Sequence, residues 1–168
     1  MLILASTSIS RNNLLKKLDV NFMQLASFFD ESSIIEKNIK DLALKLSFSK
    51  AEVIKNKIQE INLNENLKLT SVEILGCDSI FEFKGKALGK PKNKEDAYQR
   101  WLEMSASYGF LHTGHTLLFC ELINNSSKLI LKKEVKKTIS SKIVFSKLQS
   151  KEISKYVDSL EPLNCAGG

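Results

Sequence analysis

The sequence predicts an α/β fold with a mixed, elongated sheet and flanking helices, and three observations support this. Apolar runs of strand type alternate with segments in which apolar residues recur every three or four positions, the helical spacing. Hairpin-like pairs of runs interrupt the alternation, so part of the sheet is expected to be antiparallel. The chain has 168 residues, of which 43% are hydrophobic and 26% charged, so it can form one substantial core.

The first third of the chain predicts a strand, a short helix and a long helix. Residues 2–5 are apolar and strand-like, and the serine-rich turn at residues 6–8 supplies candidate helix caps. The leucines within residues 14–18 then have helical spacing. Residues 39–61 carry apolar side chains at intervals of three and four, which predicts a long amphipathic helix ending in the Asn-rich loop 62–66.

The middle of the chain predicts a β-hairpin followed by a helix. Residues 72–75 form an apolar strand that runs into Gly-Cys-Asp-Ser at 76–79, continues at 80–83 and turns at 84–86. Asn93 is placed to cap the next helix. The side chains predicted for the inner face of that helix are Ala97, Trp101, Leu102 and Ser105.

The last third predicts a second hairpin and a final helix. The hairpin comprises residues 115–123, a turn at 124–127 and residues 129–148. We expect Ser150 to cap the last helix, which stops before Pro162. Since the sequence shows no linker, repeat or change of composition, we predict a single domain.

The net charge of +6 favours anionic ligands but does not favour nucleic acid. The only arginines are Arg11 and Arg100, whereas nucleic-acid readers depend on arginine for bidentate contacts to bases and phosphates. The lysine-dense stretch at residues 128–155 is therefore interpreted as a solvated face. We expect neither a nucleic-acid partner nor a membrane, since no apolar run approaches the roughly 18 residues of a membrane helix.

The cysteines and histidines do not indicate a disulfide framework or a zinc site. The chain has three cysteines, an odd number, and they are widely spaced without a C-x-x-C motif. His112 and His115 form an H-x-x-H pair at a predicted strand start, and two ligands without a third are a poor zinc site, so surface or base-stacking roles are favoured. Residues 1–5 read as a buried strand rather than a signal peptide, so a cytoplasmic protein is expected.

The first candidate for chemistry is the turn after the first strand. A turn that opens a helix presents free N–H groups and the positive end of the helix dipole, which suit a phosphate. Ser6 and Ser8 add hydroxyls, and Arg11 lies one turn into the helix as a charged clamp. The alternative is that Ser8 or Ser10 only caps the helix and that Arg11 lies at the surface.

Two further candidates lie in the middle of the chain. Asp78 follows a predicted buried strand, where α/β proteins place metal ligands and general bases, although it could equally be a turn residue. Lys90 stands between Gly89 and Pro91, which lets a ligand approach the backbone and stiffens the loop. Each signal is weak by itself.

Taken together in order, these segments resemble the motifs of the Maf family. LASTSISR at residues 4–11, GCDS at 76–79, GKALGKP at 85–91 and EPLNCAG at 161–167 span the chain. The family pattern L-A-S-x-S-P-R-R aligns so that its second Arg falls on Arg11. The other segments similar to the family's motifs are the acidic pair Asp30-Glu31 and the helix segment Ser49-Lys50-Ala51.

The resemblance implies a fold shared with the inosine triphosphate pyrophosphatases and hydrolysis of nucleoside triphosphates to the monophosphate and pyrophosphate. It implies a divalent cation, Mg²⁺ or Mn²⁺, held by Asp78 and Glu31. Asp78 is then the proton acceptor, and Glu31 helps to hold the metal or the water. The triphosphate-binding residues implied are Ser6, Ser8, Arg11, Lys50 and Lys90.

The chain departs from the family pattern near both predicted clusters. Ile9 and Ser10 stand where the family has Pro and its first Arg, which removes one cation. Cys77 and Ser79 replace the commoner Ala and Thr beside the aspartate, so the motif leaves base preference open between 7-methyl-GTP, dTTP or UTP, and other triphosphates. The rival interpretation is a catalytically impaired nucleotide-binding regulator linked to septum formation, and a nucleic-acid binder ranks last.

The end of the chain adds a last expectation. We treat residues 1–168 as one Maf-like domain that lacks the family's C-terminal strands, because the sequence stops inside a family motif. A sheet edge is then expected to lie open, with reduced stability and activity. Dimers occur in the family, so a homodimer is a further expectation.

Overall fold

The computed structural model describes residues 1–60, 70–123 and 128–168, which form a six-stranded sheet flanked by four α-helices. In chain order the elements are β1 (Leu2–Ala5), α1 (Ile9–Lys17), β2 (Phe22–Gln24), a 3₁₀ turn (Glu31–Ser33), α2 (Ile39–Glu60), β3 (Ser71–Phe83), β4 (Lys86–Leu88), α3 (Lys94–Met104), β5 (Tyr108–Leu122), β6 (Leu129–Val144), α4 (Ser150–Asp158) and a 3₁₀ turn (Pro162–Asn164). No described helix has the length and apolar character needed to cross a membrane.

The sheet is mixed, as the sequence predicted. Its strand order is β2-β1-β3-β5-β6, and β4 pairs with β3 outside this path. β1 runs parallel to both β2 and β3, whereas β3 is antiparallel to β4 and β5, and β5 is antiparallel to β6. The parallel part carries the N-terminal turn, and the antiparallel part is built from the two predicted hairpins.

The prediction that Asp78 follows a strand is wrong. β3 continues without a break from Ser71 to Phe83, because β5 pairs with it from Ser71↔Glu121 to Glu82↔Phe110 and supplies the hydrogen bonds throughout. Asp78 therefore lies in mid-strand. β5 also begins earlier than predicted, at Tyr108, and β6 ends earlier, at Val144.

The long predicted helix is confirmed as α2, which packs directly on the sheet. Its apolar side chains enter a core with strands β1, β3 and β5, whose buried members include Ile3, Ala51, Ile54, Ile58, Ile74 and Leu118. Gly76 permits the close approach, since a Cβ there would lie 2.0 Å from the Ser47 carbonyl oxygen. Gly114 does the same on β5, with the Ala43 oxygen at 2.2 Å. The helix is thereby fixed beside the middle of β3.

The other face of the sheet packs against α3, and α4 packs on α3. Phe81, Phe83 and Met104 form one cluster there, and Ala97, Ile153 and Val157 form a second between the two helices. Because successive strand residues point to opposite faces, the Phe81 side chain lies on the face opposite to Ile74 and Asp78.

Local details of the two C-terminal helices correct the predictions. Leu102, expected on the inner face of α3, is exposed, whereas Met104 is buried. Asn93 caps α3 as predicted, accepting from the Asp96 N–H. The cap of α4 is Gln149 rather than Ser150, through reciprocal bonds with Glu152.

Strand β2 was not predicted, and the predicted loop 62–66 and turn 124–127 lie outside the described residues.

Candidate functional site

The candidate site lies at a gap along one side of β3. β1 pairs with β3 only as far as Ala5↔Gly76, and β4 begins pairing on the same side at Phe81↔Leu88. Within the described part of the chain, residues 77–80 have no strand beside them there. Because β1 ends at this gap, the gap resembles the crevices beyond strand ends in which α/β proteins bind ligands.

A lysine held between two carboxylates lies on the α2 side of the gap. The Lys50 ammonium donates to an Asp78 carboxylate oxygen and forms an ion pair with Glu31 Oε1 at 2.7 Å. The Lys50 and Asp78 side chains are 13% and 10% exposed, whereas that of Glu31 is 56% exposed. The structure therefore brings together three residues that are 19 and 28 positions apart in sequence.

Each member of this trio is positioned by its own element. Lys50 projects from α2, which can lie close to the sheet because Gly76 has no side chain. Glu31 opens a 3₁₀ turn capped by Asp30, whose Oδ1 accepts from the Ser32 N–H at 3.0 Å. Asp78 is fixed by the β3 ladder. The two residues of the acidic pair Asp30-Glu31 therefore have different roles: Asp30 caps the turn, and the turn places Glu31 beside Lys50.

The surroundings shift the pKa values of Asp78 and Lys50. Burial raises the pKa of Asp78, and the Lys50 ammonium opposes this rise. Burial by itself would lower the pKa of Lys50, but the Asp78 and Glu31 carboxylates outweigh it and raise that pKa. Lys50 therefore keeps its positive charge, while Asp78 becomes a stronger proton acceptor than an exposed aspartate.

The segment predicted to bind phosphate, residues 6–11, lies at the end of β1. Ser8 caps α1 and accepts from the Arg11 N–H, so the capping alternative is correct for Ser8. The Arg11 side chain does not lie free at the surface: it donates to Ser6 Oγ at 3.1 Å and to Ser79 Oγ at 3.0 Å. In the described part of the chain it has no carboxylate partner, so its charge is left for an anion.

Lys90 approaches the gap from the other end. Leu88 lies opposite Phe81 in the antiparallel β3–β4 pair, so residues 89 and 90 continue back toward the unpaired stretch of β3. Lys90 is exposed and has no ion pair with the described residues. The structure does not bring it into contact with Asp78 or Arg11.

Two residues of the site were missed by sequence reasoning. Thr113 bonds the Ser79 hydroxyl at 3.0 Å and so extends the network that holds Arg11. Gln24, on the unpredicted β2, donates to the Ser6 carbonyl oxygen at 2.6 Å. Finding either residue requires the strand register, which depends on tertiary pairing.

The histidine pair does not form a joint metal site. His112 is 1% exposed and lies between Glu82 Oε2 at 2.7 Å and Ser140 Oγ at 2.8 Å, so the expected surface or base-stacking role is wrong for it. His115 is three residues along the same strand and therefore points to the opposite face. Among the described residues no group of three or more His, Cys, Asp and Glu side chains is arranged to hold a metal.

The carboxylate pair nevertheless fits a Mg²⁺-type cation. Asp78 and Glu31 both contact one ammonium, so they already share a cation. Mg²⁺ is usually bound through one or two carboxylates together with water and substrate phosphates rather than by an all-protein cage. The two converging carboxylates match the protein part of that donor set.

Comparison with known proteins identifies the family. The family model described as "Maf-like protein" matches residues 1–168. The nucleoside triphosphate pyrophosphatases of Prochlorococcus marinus strains MIT 9215 and AS9601 are each 54% identical over 168 residues, covering all of this chain and 82% and 83% of the relatives. That of Trichodesmium erythraeum strain IMS101 is 38% identical over 165 residues, covering 98% of this chain and 75% of the relative. The chain belongs to the Maf family.

Proposed function

We propose that this chain is a nucleoside triphosphate pyrophosphatase, hydrolysing canonical or modified nucleoside triphosphates to the monophosphate and pyrophosphate. The observation that carries the proposal is the trio Lys50, Asp78 and Glu31 beside Arg11, at a gap where β1 ends. A carboxylate of raised pKa and unpaired cations are what hydrolysis of a phosphoric anhydride requires. The name carried by the relatives agrees with this chemistry.

Binding of the triphosphate is assigned to the cationic and hydroxyl groups around the gap. Arg11 provides a planar guanidinium already oriented by Ser6 and Ser79. Ser8 keeps the first turn of α1 in place, so the helix N-terminus faces the phosphates. Lys90 supplies a further cation from the loop after β4.

Asp78 is proposed as the group that takes the proton from the attacking water. As the water oxygen bonds to phosphorus, its proton passes to the carboxylate and the bond between the α-phosphorus and the bridging oxygen breaks. Pyrophosphate then leaves with that oxygen. Lys50 orients the Asp78 carboxylate and offsets the charge that develops on the phosphate oxygens.

A divalent cation, Mg²⁺ or Mn²⁺, is proposed at Asp78 and Glu31. When bound there it would neutralise phosphate oxygens and act as a Lewis acid. Glu31 is the more exposed of the two carboxylates and lies in a short 3₁₀ turn, so it is free to exchange Lys50 for another cation.

The central test is release of pyrophosphate. The chain is incubated with GTP, dTTP, UTP and 7-methyl-GTP, with Mg²⁺ or Mn²⁺ and with chelator. We expect metal-dependent formation of one pyrophosphate per monophosphate, and a loss of about two orders of magnitude or more in Asp78→Asn. Asp158→Asn is the matched control, since that carboxylate is exposed and, among the described residues, forms its ion pair with Lys94 on α3.

Two other results would distinguish the proposed activity from the rival regulatory function. Nucleotide binding without pyrophosphate release would establish the regulatory interpretation instead. Hydrolysis by Asp78→Asn at the parent rate would remove Asp78 from the reaction while leaving the activity itself in place.

Three further expectations concern the location of the protein, its partners and its oligomeric state. We propose that the protein acts in the cytoplasm, does not use nucleic acid as a partner and forms a homodimer. Fractionation of cells and measurement of the molar mass in solution test the first and third of these. The single-domain organisation also stays a prediction.

A further inference from the structure

The loop that carries Lys90 is fastened to α3 on both sides of the lysine. On the preceding side, the Gly89 carbonyl oxygen accepts from Arg100 Nη1 at 2.7 Å. On the following side, the Lys92 N–H donates to Asp96 Oδ2 at 2.9 Å. Lys90 therefore stands between two anchored peptide groups.

The two anchoring side chains are joined to each other. Arg100 donates from Nε to Asp96 Oδ1 at 2.9 Å and from Nη2 to Asp96 Oδ2 at 2.8 Å, a bidentate pair one helical turn apart. Their side chains are 18% and 30% exposed. The arginine uses its remaining nitrogen on the loop, so loop, arginine and aspartate form a closed ring of hydrogen bonds.

Arg100 is not itself placed to bind an anion, unlike Arg11. Its charge is neutralised by Asp96, and its Nη1 is directed at a carbonyl oxygen. The Asp96 carboxylate is likewise occupied by the Lys92 N–H and by Arg100, and both of these contacts lower its pKa. The pair therefore stays ionised at neutral pH and acts on the backbone of the loop.

We propose that Asp96 and Arg100 are positioning residues that hold the backbone of Lys90 so that its ammonium is directed at the substrate's phosphates. This inference rests on the proposed phosphate-binding role of Lys90. Lysine is a flexible point charge, and each fixed backbone bond removes freedom that substrate binding would otherwise have to restrict. Buried Pro91 adds stiffness between the two anchors.

A double-mutant cycle tests the inference. Arg100→Met and Lys90→Met are made singly and together, and the KM and kcat for a nucleoside triphosphate are measured with saturating Mg²⁺. We expect each single variant to lower kcat/KM by about tenfold, mainly through KM, and Arg100→Met to have no further effect when Lys90 is absent. Lys94→Met is the matched control: it removes an ion pair of the same helix that faces Asp158, and its kinetics should equal the parent's.

A second variant covers the case in which Arg100→Met does not fold. Asp96→Asn keeps an acceptor for the Lys92 N–H and removes the charge that orients Arg100, so a smaller rise in KM is expected, again only when Lys90 is present. Equal losses with and without Lys90 would show that Arg100 acts on general stability, which overturns the inference. A normal KM for Lys90→Met overturns it too, while pyrophosphate release would still uphold the activity.

Discussion

At the scale of single residues, Asp78 illustrates a conflict between reactivity and stability. The residue is buried, at 7% exposure, and its carboxylate accepts a hydrogen bond from the Lys50 ammonium. Burial raises its pKa, which means that the folded chain disfavours the ionised form. The same burial that makes Asp78 a better proton acceptor therefore reduces stability at neutral pH.

The first prediction concerns Asp78→Asn. The folded pKa of Asp78 lies above its unfolded value of about 3.9, so the folded chain binds this proton more tightly and its stability should rise as the pH falls through the folded pKa. The neutral amide lacks this dependence. In metal-free solution at pH 7 the variant should be at least as stable as the parent although it is inactive, and the difference should shrink toward pH 4. Denaturant unfolding at both pH values measures this, and a variant that is less stable by the same amount at each pH contradicts it.

The second prediction concerns Lys50→Met. Lys50 lowers the pKa of Asp78 against the effect of burial, so removing the ammonium should raise that pKa further. The acidic limb of the pH profile of kcat/KM should move to higher pH, in addition to a fall in rate. Lys55→Met is the control, because Lys55 lies on the same helix and pairs with Glu52 instead. An unshifted limb in Lys50→Met would mean that Asp78 does not govern it.

At the scale of elements, the contact between α2 and β3 determines the site. The Ser47 carbonyl oxygen of α2 lies so close to Gly76 that no side chain fits between them. Lys50, one turn further along the helix, reaches Asp78, two residues further along the strand. A glycine in a strand therefore affects the trio of Lys50, Asp78 and Glu31 indirectly, by setting the distance between the helix and the sheet.

The third prediction is that Gly76→Ala reduces both stability and activity. Its Cβ would overlap Ser47 and push α2 away from the sheet, at a cost of about 1–3 kcal/mol in the free energy of unfolding. Gly89→Ala is the control for stability, since a Cβ there meets nothing within 4 Å. Thermal unfolding compares the two variants, and equal midpoints would refute the steric argument.

At the scale of the whole molecule, positive charge is carried by exposed lysines of β6 as well as by the cations at the gap. Several lysines of β6 engage neighbours of their own: Lys133 lies over Phe119, Lys136 over Phe48, and Lys142 over Tyr108. At the gap, Arg11 and Lys90 also have no ion pair with the described residues. The gap is therefore one region in which positive charge is available to an anionic ligand.

The fourth prediction follows from this distribution. Raising the salt concentration should increase the KM for a nucleoside triphosphate, because salt screens the attraction between the gap and the substrate. Binding to duplex DNA should stay weak at every salt concentration tested. Steeply salt-dependent, tight DNA binding by the parent chain would instead assign the lysines of β6 to nucleic acid.

The sequence by itself determined the fold class, the family and most of the secondary structure. Periodicity identified α2, because a long helix repeats its apolar spacing many times, and it identified both hairpins from their turns. The family is confirmed by the match over residues 1–168, and the relatives' name agrees with the predicted activity. The roles of the individual site residues stay predictions.

Only the tertiary structure decided how those residues meet. Asp78 was expected after a strand because Gly76 and a polar stretch resemble a turn, whereas pairing with β5 keeps the chain extended through them. Thr113 and Gln24 join the site through strand register, and Lys50 reaches Asp78 through the packing of α2. Local spacing encodes which element forms, but the distance between elements depends on contacts made by residues far apart in sequence, and those contacts place the chemistry.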